Sequence, residues 1–279
     1  MSIGLLCFII LAAVSVVSCI ICFVKEKKRE TRRGVYLSFL GIVISLFGII
    51  WTQYPNLFNK DVKELYKSWN IEDEKEIQSD KNIQDHKAWG PDREMIKWGS
   101  YFEHPAFNSI ENNPYLGDER NFVRIRKADT DDNFSDEVDL EVGSEYEVAI
   151  YFHNNGDPAL NKSGNVVAEN VRLRIEEPEY LHSDSYAVIR GTLTSTNANP
   201  REIWDVAYVC ADSEVLLQYV PNSAVIHSLG NIDSQVLSSD AMFGEKGVMI
   251  GYWNDLWGVV PAGKEYGGYI TYRFEVNQG

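Results

Sequence analysis

Two apolar runs without a single charge open the chain, residues 3–24 and 35–51, and between them lies the basic decapeptide KEKKRETRRG. As a helix at ~1.5 Å per residue the first run reaches about 33 Å, enough to cross a hydrocarbon core, while the second lies at the short end of the spanning range. Six of the ten residues between them are Lys or Arg. The positive-inside bias therefore places residues 25–34 in the cytoplasm and sends both ends of the hairpin outward. Tyr36 at one end of the second run, with Trp51 and Tyr54 at the other, stand where an aromatic belt would place them. The expected anchor is a transmembrane hairpin over residues 1–51 of a multi-pass plasma-membrane protein, with the C-terminal region extracytoplasmic. Along the second run Ser38, Gly41, Ser45 and Gly48 recur every three or four residues, a small-residue face for close helix packing against the first helix or against a second copy of the chain.

After Trp51 the pattern turns polar. Asp61 and Glu64 have the form of a capping box, and Val62, Leu65, Tyr66 and Trp69 share one helical face, so a short amphipathic helix is expected in a stalk over residues 52–87. From residue 88 onward the period changes to two. Tyr146, Val148, Ile150 and Phe152 alternate with Glu147, Ala149 and Tyr151. Val171, Leu173 and Ile175 alternate with arginines and a glutamate, and Ile270, Tyr272, Phe274 and Val276 alternate with Thr271, Arg273 and Glu275. Each reads as a strand with one buried and one wet face. Further strands are expected over 122–126, 138–142, 186–192, 215–220, 224–227 and 248–252, separated by turn chemistry such as Asn154-Asn155-Gly156-Asp157-Pro158. About nine short strands and no long helical pattern predict a mainly β fold, a sandwich over residues 88–279.

Charge narrows the partners. Of 26 basic and 41 acidic residues the hairpin loop takes six and two, so the region after Trp51 is strongly acidic. That excludes nucleic acid and disfavours anionic headgroups. Cys7, Cys19 and Cys22 fall in the first apolar run and Cys210 stands alone outside it, so no internal disulfide is expected to hold the outer region.

The runs EVGSEYEVAIYFHNNGDPALNKSGNVVAENVRLRIEEP and LLQYVPNSAVI carry a set of motifs: a Gly-bearing turn at Gly143, an Asn-Gly corner at Asn155 and Gly156, an Asn-Val strand start at Asn170 and Val171, a strand ended by Pro178, and Tyr219-Val220-Pro221 with Ser223. With WGPDREMIKW, FNSIENNPYLGDERNFVRI and EYGGYITYRF around them, they resemble the conserved repeat domain of bacterial and archaeal cell-surface proteins. The resemblance implies an immunoglobulin-like sandwich on a cell envelope and carries no catalytic residues with it.

Candidate chemistry is sparse. Asp129, Asp131 and Asn133 occupy positions one, three and five of a calcium-loop pattern, but Phe134 stands where the turn glycine belongs and Leu140 where the bidentate glutamate belongs. Calcium is thus the one cofactor suggested, against a solvated acidic loop. Tyr252, Trp253 and Trp257 beside Asn254 and Asp255 read either as core caps or as a glycan-binding face, and Trp89, Trp98 and Tyr101 as packing at the entrance of the domain. In Gly117-Asp118-Glu119-Arg120 an acid is expected to pair with Arg120 or Arg124 and fix a turn. No histidine pair has metal-ligand spacing, and no nucleophile elbow, P-loop or nucleotide fingerprint occurs. The expectation is a non-enzymatic interaction or structural module, then a glycan-binding module, and last an envelope hydrolase.

Overall fold

The computed structural model describes residues 88–279. The expected hairpin, its Ser38, Gly41, Ser45 and Gly48 face, the three cysteines of the first run and the stalk lie outside the described residues. Among the described residues no helix is long and apolar enough to cross a membrane.

Two six-stranded sheets make up the fold. Numbering strands along the chain, the first sheet runs β1 (Trp89–Gly90), β8 (Glu202–Ala211), β7 (Ser185–Thr194), β5 (Arg172–Glu176), β11 (Val248–Met249), with β3 (Glu137–Asp139) laid parallel on β8. The second runs β2 (Val123–Lys127), β4 (Glu145–Phe152), β12 (Gly268–Gln278), β9 (Val215–Tyr219), β6 (Tyr180–Leu181), with β10 (Val225–Ser228) beside β12. All other strand pairings are antiparallel. The α1 helix is a single turn, Ser239–Met242, capped by the Ser238 side chain.

The sheets face each other across a core of Val148, Ile150, Phe152, Leu173, Ile175, Ile189, Ile270, Tyr272, Phe274 and Val276, all essentially shut off from solvent. Their approach is close enough that a Cβ on Gly191 of β7 would stand 2.7 Å from Val123 of β2. The period-two reading of β5 and β12 matches these facts. Leu173 and Ile175 are buried on β5 while Arg172 and Arg174 between them are only partly covered, and on β12 Tyr272 and Phe274 are buried while Arg273 is not.

Strand β4 departs from the expectation. Its second face is buried too: Glu147, Ala149 and Tyr151 are all under 10% exposed. Glu147 is covered by Arg126 at 2.6 Å and Arg273 at 3.7 Å, and Tyr151 by the irregular segment 91–121, whose Asn108 amide donates to its carbonyl at 3.0 Å. The turn expected at residues 154–158 is likewise an interior structure, with Asn154 and Asn155 buried. The strand expected over 248–252 ends at Met249, beyond which Ile250 still donates to Val171 at 3.1 Å.

The ten-residue β8 was not expected. Ile203, Asp205, Ala207, Val209 and Ala211 alternate as buried residues, with Val206 covered on the other face, but a carboxylate in the middle interrupts the apolar stripe. Asp205 reaches across the sandwich: one oxygen accepts from the backbone N–H of Phe122 at 2.6 Å and Val123 at 2.7 Å. Burial pushes its pKa well above the usual carboxylate value, against the opposing pull of those N–H groups. This bond ties β8 of one sheet to the start of β2 in the other. Replacing Asp205 with Ala would leave two buried donors without an acceptor, so Asp205→Ala should destabilise by roughly 2–5 kcal/mol and Asp205→Asn, which keeps one oxygen, by less. Urea midpoints of the two variants check this, and equal loss in both would show that the acceptor oxygen is not what matters.

Candidate functional site

Segment 91–121 has almost no regular structure, so its backbone groups need partners elsewhere. They find them in the chain just after β4. Phe102 N–H donates to Asn155 O at 3.1 Å, Asn108 N–H to His153 O at 3.0 Å, and Asn155 N–H to Ala106 O at 2.7 Å. The asparagine side chains complete the weave. Asn108 accepts from His153 N–H at 2.8 Å, Asn155 accepts from Ser109 N–H at 2.6 Å, and Asn154 donates to the carbonyls of Val166 and Val260 at 2.8 and 2.9 Å.

At the centre is Glu119, with no solvent exposure. Its Oε1 accepts from Asn113 Nδ2 at 2.6 Å and lies 2.9 Å from His153 Nδ1, with the Tyr151 hydroxyl at 3.4 Å. Its Oε2 accepts from Asn155 Nδ2 at 3.0 Å and Ile110 N–H at 3.3 Å. His153 Nδ1 thus lies 2.9 Å from both Glu119 Oε1 and Asn155 Nδ2, and among the described residues Nε2 is the ring nitrogen without a hydrogen bond. Asp118, the neighbour, pairs with Arg120 as expected. Glu119 itself does not fix a turn by pairing with Arg120 or Arg124: it is the hub of this network, and Arg124 lies 3.9 Å from Asp136 instead.

His153 lines a small pocket of about 120 Å³ together with Trp98, Tyr101, Ile110, Lys264 and Glu265. Trp98 is held edge-on by Tyr115, with ring centres 5.9 Å apart, and Tyr101 is 53% exposed. Lys264 and Glu265 lie on a short 3-10 turn, Lys264–Tyr266. The third residue of that turn, Tyr266, packs edge-on against Tyr252 at 4.8 Å and lies 6.1 Å from Trp253. One rim of the pocket therefore continues into an aromatic group of three. Among the described residues no serine, threonine or cysteine lines the pocket. The arrangement offers aromatic surface, an oriented imidazole, an ammonium and a carboxylate, which suits binding.

The candidates read from sequence divide. Tyr252 and Trp253 stack edge-on at 5.0 Å and both are partly buried, neither core residues nor free rings. The strand expected over 248–252 stops at Met249, so no period-two alternation orients these two rings. A Cβ on Gly230 would collide with the carbonyl oxygen of Tyr252, which fixes the backbone of this loop. Trp257 is 36% exposed and makes no ring contact with that pair among the described residues. Asp129, at φ 58, gives both oxygens to Arg273 at 3.0 and 3.1 Å, which engages the first residue of the calcium pattern in an ion pair. Asp131 and Asn133 lie in the exposed part of that loop, and no group of three or more candidate ligands for a metal is present among the described residues. Trp98, Tyr101, His153 and Glu119 are visible in the sequence but not as one place. Lys264 and Glu265 carry no signal there at all.

A second, larger concavity of about 750 Å³ lies where the chain crosses from β5 to β6, lined by Ile175, Glu177, Glu179, Leu217, Tyr219 and Phe243, among others. Glu177 Oε2 accepts from the hydroxyl of the buried Tyr272 at 2.6 Å. Burial of the carboxyl pushes its pKa up to about 7, against the Tyr272 hydrogen bond, which favours the anion.

No family model, curated protein or solved structure matches this chain.

The Glu177 shift has a stability consequence. The folded protein keeps a proton that the unfolded chain has released, so the contribution of Glu177 to stability should be full below about pH 4.5 and be lost as pH rises through about 7. Glu177→Gln should flatten this part of the profile. Urea midpoints between about pH 5 and 8 for both proteins test it, and an unchanged slope in Glu177→Gln would assign the decline to other groups.

Proposed function

We propose that this chain is a membrane-anchored cell-envelope protein whose region 88–279 is an extracytoplasmic, non-catalytic binding module, and that the pocket between Trp98, Tyr101 and His153 takes a carbohydrate. The anchor and its topology rest on the two uncharged runs and the basic loop between them. The immunoglobulin-like character and the envelope setting rest on the resemblance to cell-surface repeat domains, with which a face-to-face pair of sheets is in keeping.

One observation carries the binding reading: Glu119 and Asn155, both buried, lock the His153 ring at the floor of a pocket whose rim is an exposed tyrosine and a half-buried tryptophan. A sugar ring presents apolar C–H faces and hydroxyls that both donate and accept. Aromatic rims and fixed polar groups match those two features. Lys264 donates to a hydroxyl and Glu265 accepts from one, and the His153 ring offers a further polar contact beside them.

Two measurements test this. Full-length protein in detergent, titrated with a panel of neutral and acidic oligosaccharides, should show a tryptophan emission change. Tyr101→Ala should weaken binding about tenfold or more while leaving stability within about 0.5 kcal/mol, because its ring is mostly exposed. Trp257→Ala, away from the pocket, should bind as the parent does. Binding lost with Trp257→Ala but kept with Tyr101→Ala would move the site to the other loop, and turnover of an oligosaccharide would replace binding by catalysis. Separately, in intact cells a membrane-impermeant amine reagent should leave Lys25, Lys27 and Lys28 unlabelled while added protease removes the region after residue 88. Labelling of the loop from outside would invert the topology.

A further inference from the structure

The larger cleft is a different kind of site from the pocket at His153, at a different place in the fold. It opens where the chain leaves β5 of the first sheet at Glu176 and enters β6 of the second at Tyr180. Its apolar floor is aromatic: Tyr219 packs edge-on against Phe243 at 5.4 Å, and Phe243 against the buried Tyr272 at 5.7 Å. The polar groups of the lining are acidic or neutral, and among the described residues no Lys or Arg lines it.

The three carboxylates there are not equivalent. Glu176 already faces Arg174 at 3.5 Å and Arg190 at 3.7 Å. Glu179 is exposed, with its carbonyl accepting from Leu217 N–H at 3.0 Å. Glu177 has one oxygen on the Tyr272 hydroxyl, and its Oε1 has no donor among the described residues. A partly buried carboxylate with one oxygen held by Tyr272 and the other open to the cleft, beside aromatic and leucine side chains, is the complement of a cation on an apolar stem.

We propose that this cleft binds an organic ammonium group carried on an apolar chain, with the ammonium at Glu177 Oε1 and the chain over Leu217, Tyr219 and Phe243. A free alkylamine and the lysine side chain of a peptide share this chemistry. Hydrocarbon burial along the stem strengthens binding roughly fourfold per methylene, which rewards a chain of several carbons over ammonia itself. A ring face of Tyr219 or Phe243 turned toward the ammonium adds attraction for the cation. The elevated Glu177 pKa supports the same reading from another side: near neutral pH the bound cation displaces a proton. The other groups facing Glu177 are the Tyr272 hydroxyl, Glu176 with its two arginines, Glu179, Gln218 and Tyr219.

The test uses the full chain in detergent, titrated by calorimetry with hexylamine, with the tripeptide acetyl-Leu-Lys-Leu-amide, and with hexanol and hexanoate as neutral and anionic counterparts. The whole region is acidic, so loose attraction of cations is expected and the variants must decide. Hexylamine or the tripeptide should bind, the two counterparts should not, and Glu177→Gln should weaken binding about tenfold or more, whereas Glu176→Gln should change it by no more than about twofold. Near neutral pH binding should release protons, seen as a dependence of the heat on the buffer, and Glu177→Gln should abolish the release. Tighter binding of hexylamine assigns the site to free amines, and tighter binding of the tripeptide to lysine side chains. Equal binding to the parent and Glu177→Gln, or binding of neither amine, overturns the proposal. Glu177→Gln keeps the size and one acceptor oxygen for the Tyr272 hydroxyl, and its melting curve shows whether a loss of binding is a loss of fold.

Discussion

Glu119 is a carboxylate removed from solvent and surrounded by five donors, and it gathers side chains or backbone from both sides of a long irregular segment and from the end of β4. A buried anion at this density of contacts is tolerable only because each oxygen is occupied, since one missing partner would leave an uncompensated charge or donor in a low-dielectric interior. Segment 91–121 consequently has one place to sit. By sitting there it covers the second face of β4 and closes one side of the pocket at Trp98 and Tyr101. The order of dependence runs from the carboxylate to the cover, and from the cover to the pocket.

Asp205 performs a related task between the sheets. Most of the sandwich is joined by side chains that interdigitate, such as Val123 against the bare backbone of Gly191. Packing of that kind tolerates small slips. A carboxylate oxygen on two successive N–H groups does not, because a shift of one residue would turn those donors away. The position of β2 relative to β8 is thereby set by direction as well as by volume.

These two acids also mark where the sequence stops being readable. Strands β5 and β12 announce themselves, since their apolar positions are buried and their polar positions, Thr271 apart, are at least partly wet. Strand β8 hides because Asp205 falls on its inward face, where a period-two reading requires an apolar residue. Strand β4 is found, but its burial is half misjudged, because Glu147 and Tyr151 look like solvent-facing residues when their partners Arg126, Arg273 and Glu119 are far off in sequence. Asn154 and Asn155 look like turn residues for the same reason: local polarity signals exposure unless a distant segment supplies the hydrogen bonds. The candidate site suffers most. Its six principal residues come from three stretches, near 98–110, at 153 and at 264–265, and only the fold brings them within reach of one another. The aromatic residues that do stand together in sequence, Tyr252, Trp253 and Trp257, are parted by the loop that carries them, with Tyr266 taking the place expected of Trp257. Asp129 reads as free to ligate because Arg273 lies 144 residues away.

The two concavities differ in how their acids are used, and that difference bears on what each can bind. Glu119 has no capacity left; its role is to orient His153, and whatever enters the smaller pocket meets the imidazole and the rim. Among the described residues Glu177 has a single strong partner and an oxygen without a donor, so it can itself be a ligand-binding group. The first arrangement favours a neutral ligand read by hydrogen-bond geometry, because the charge behind the imidazole is already balanced by donors. The second favours a cation, because a desolvated carboxylate gains most from a charge that arrives with its own apolar stem and brings little water with it. A chain with this much negative charge would attract cations over its whole outer surface without selecting among them. Selection requires a place where the charge is withdrawn from water and the surroundings are shaped, and Glu177 above Tyr272 is such a place.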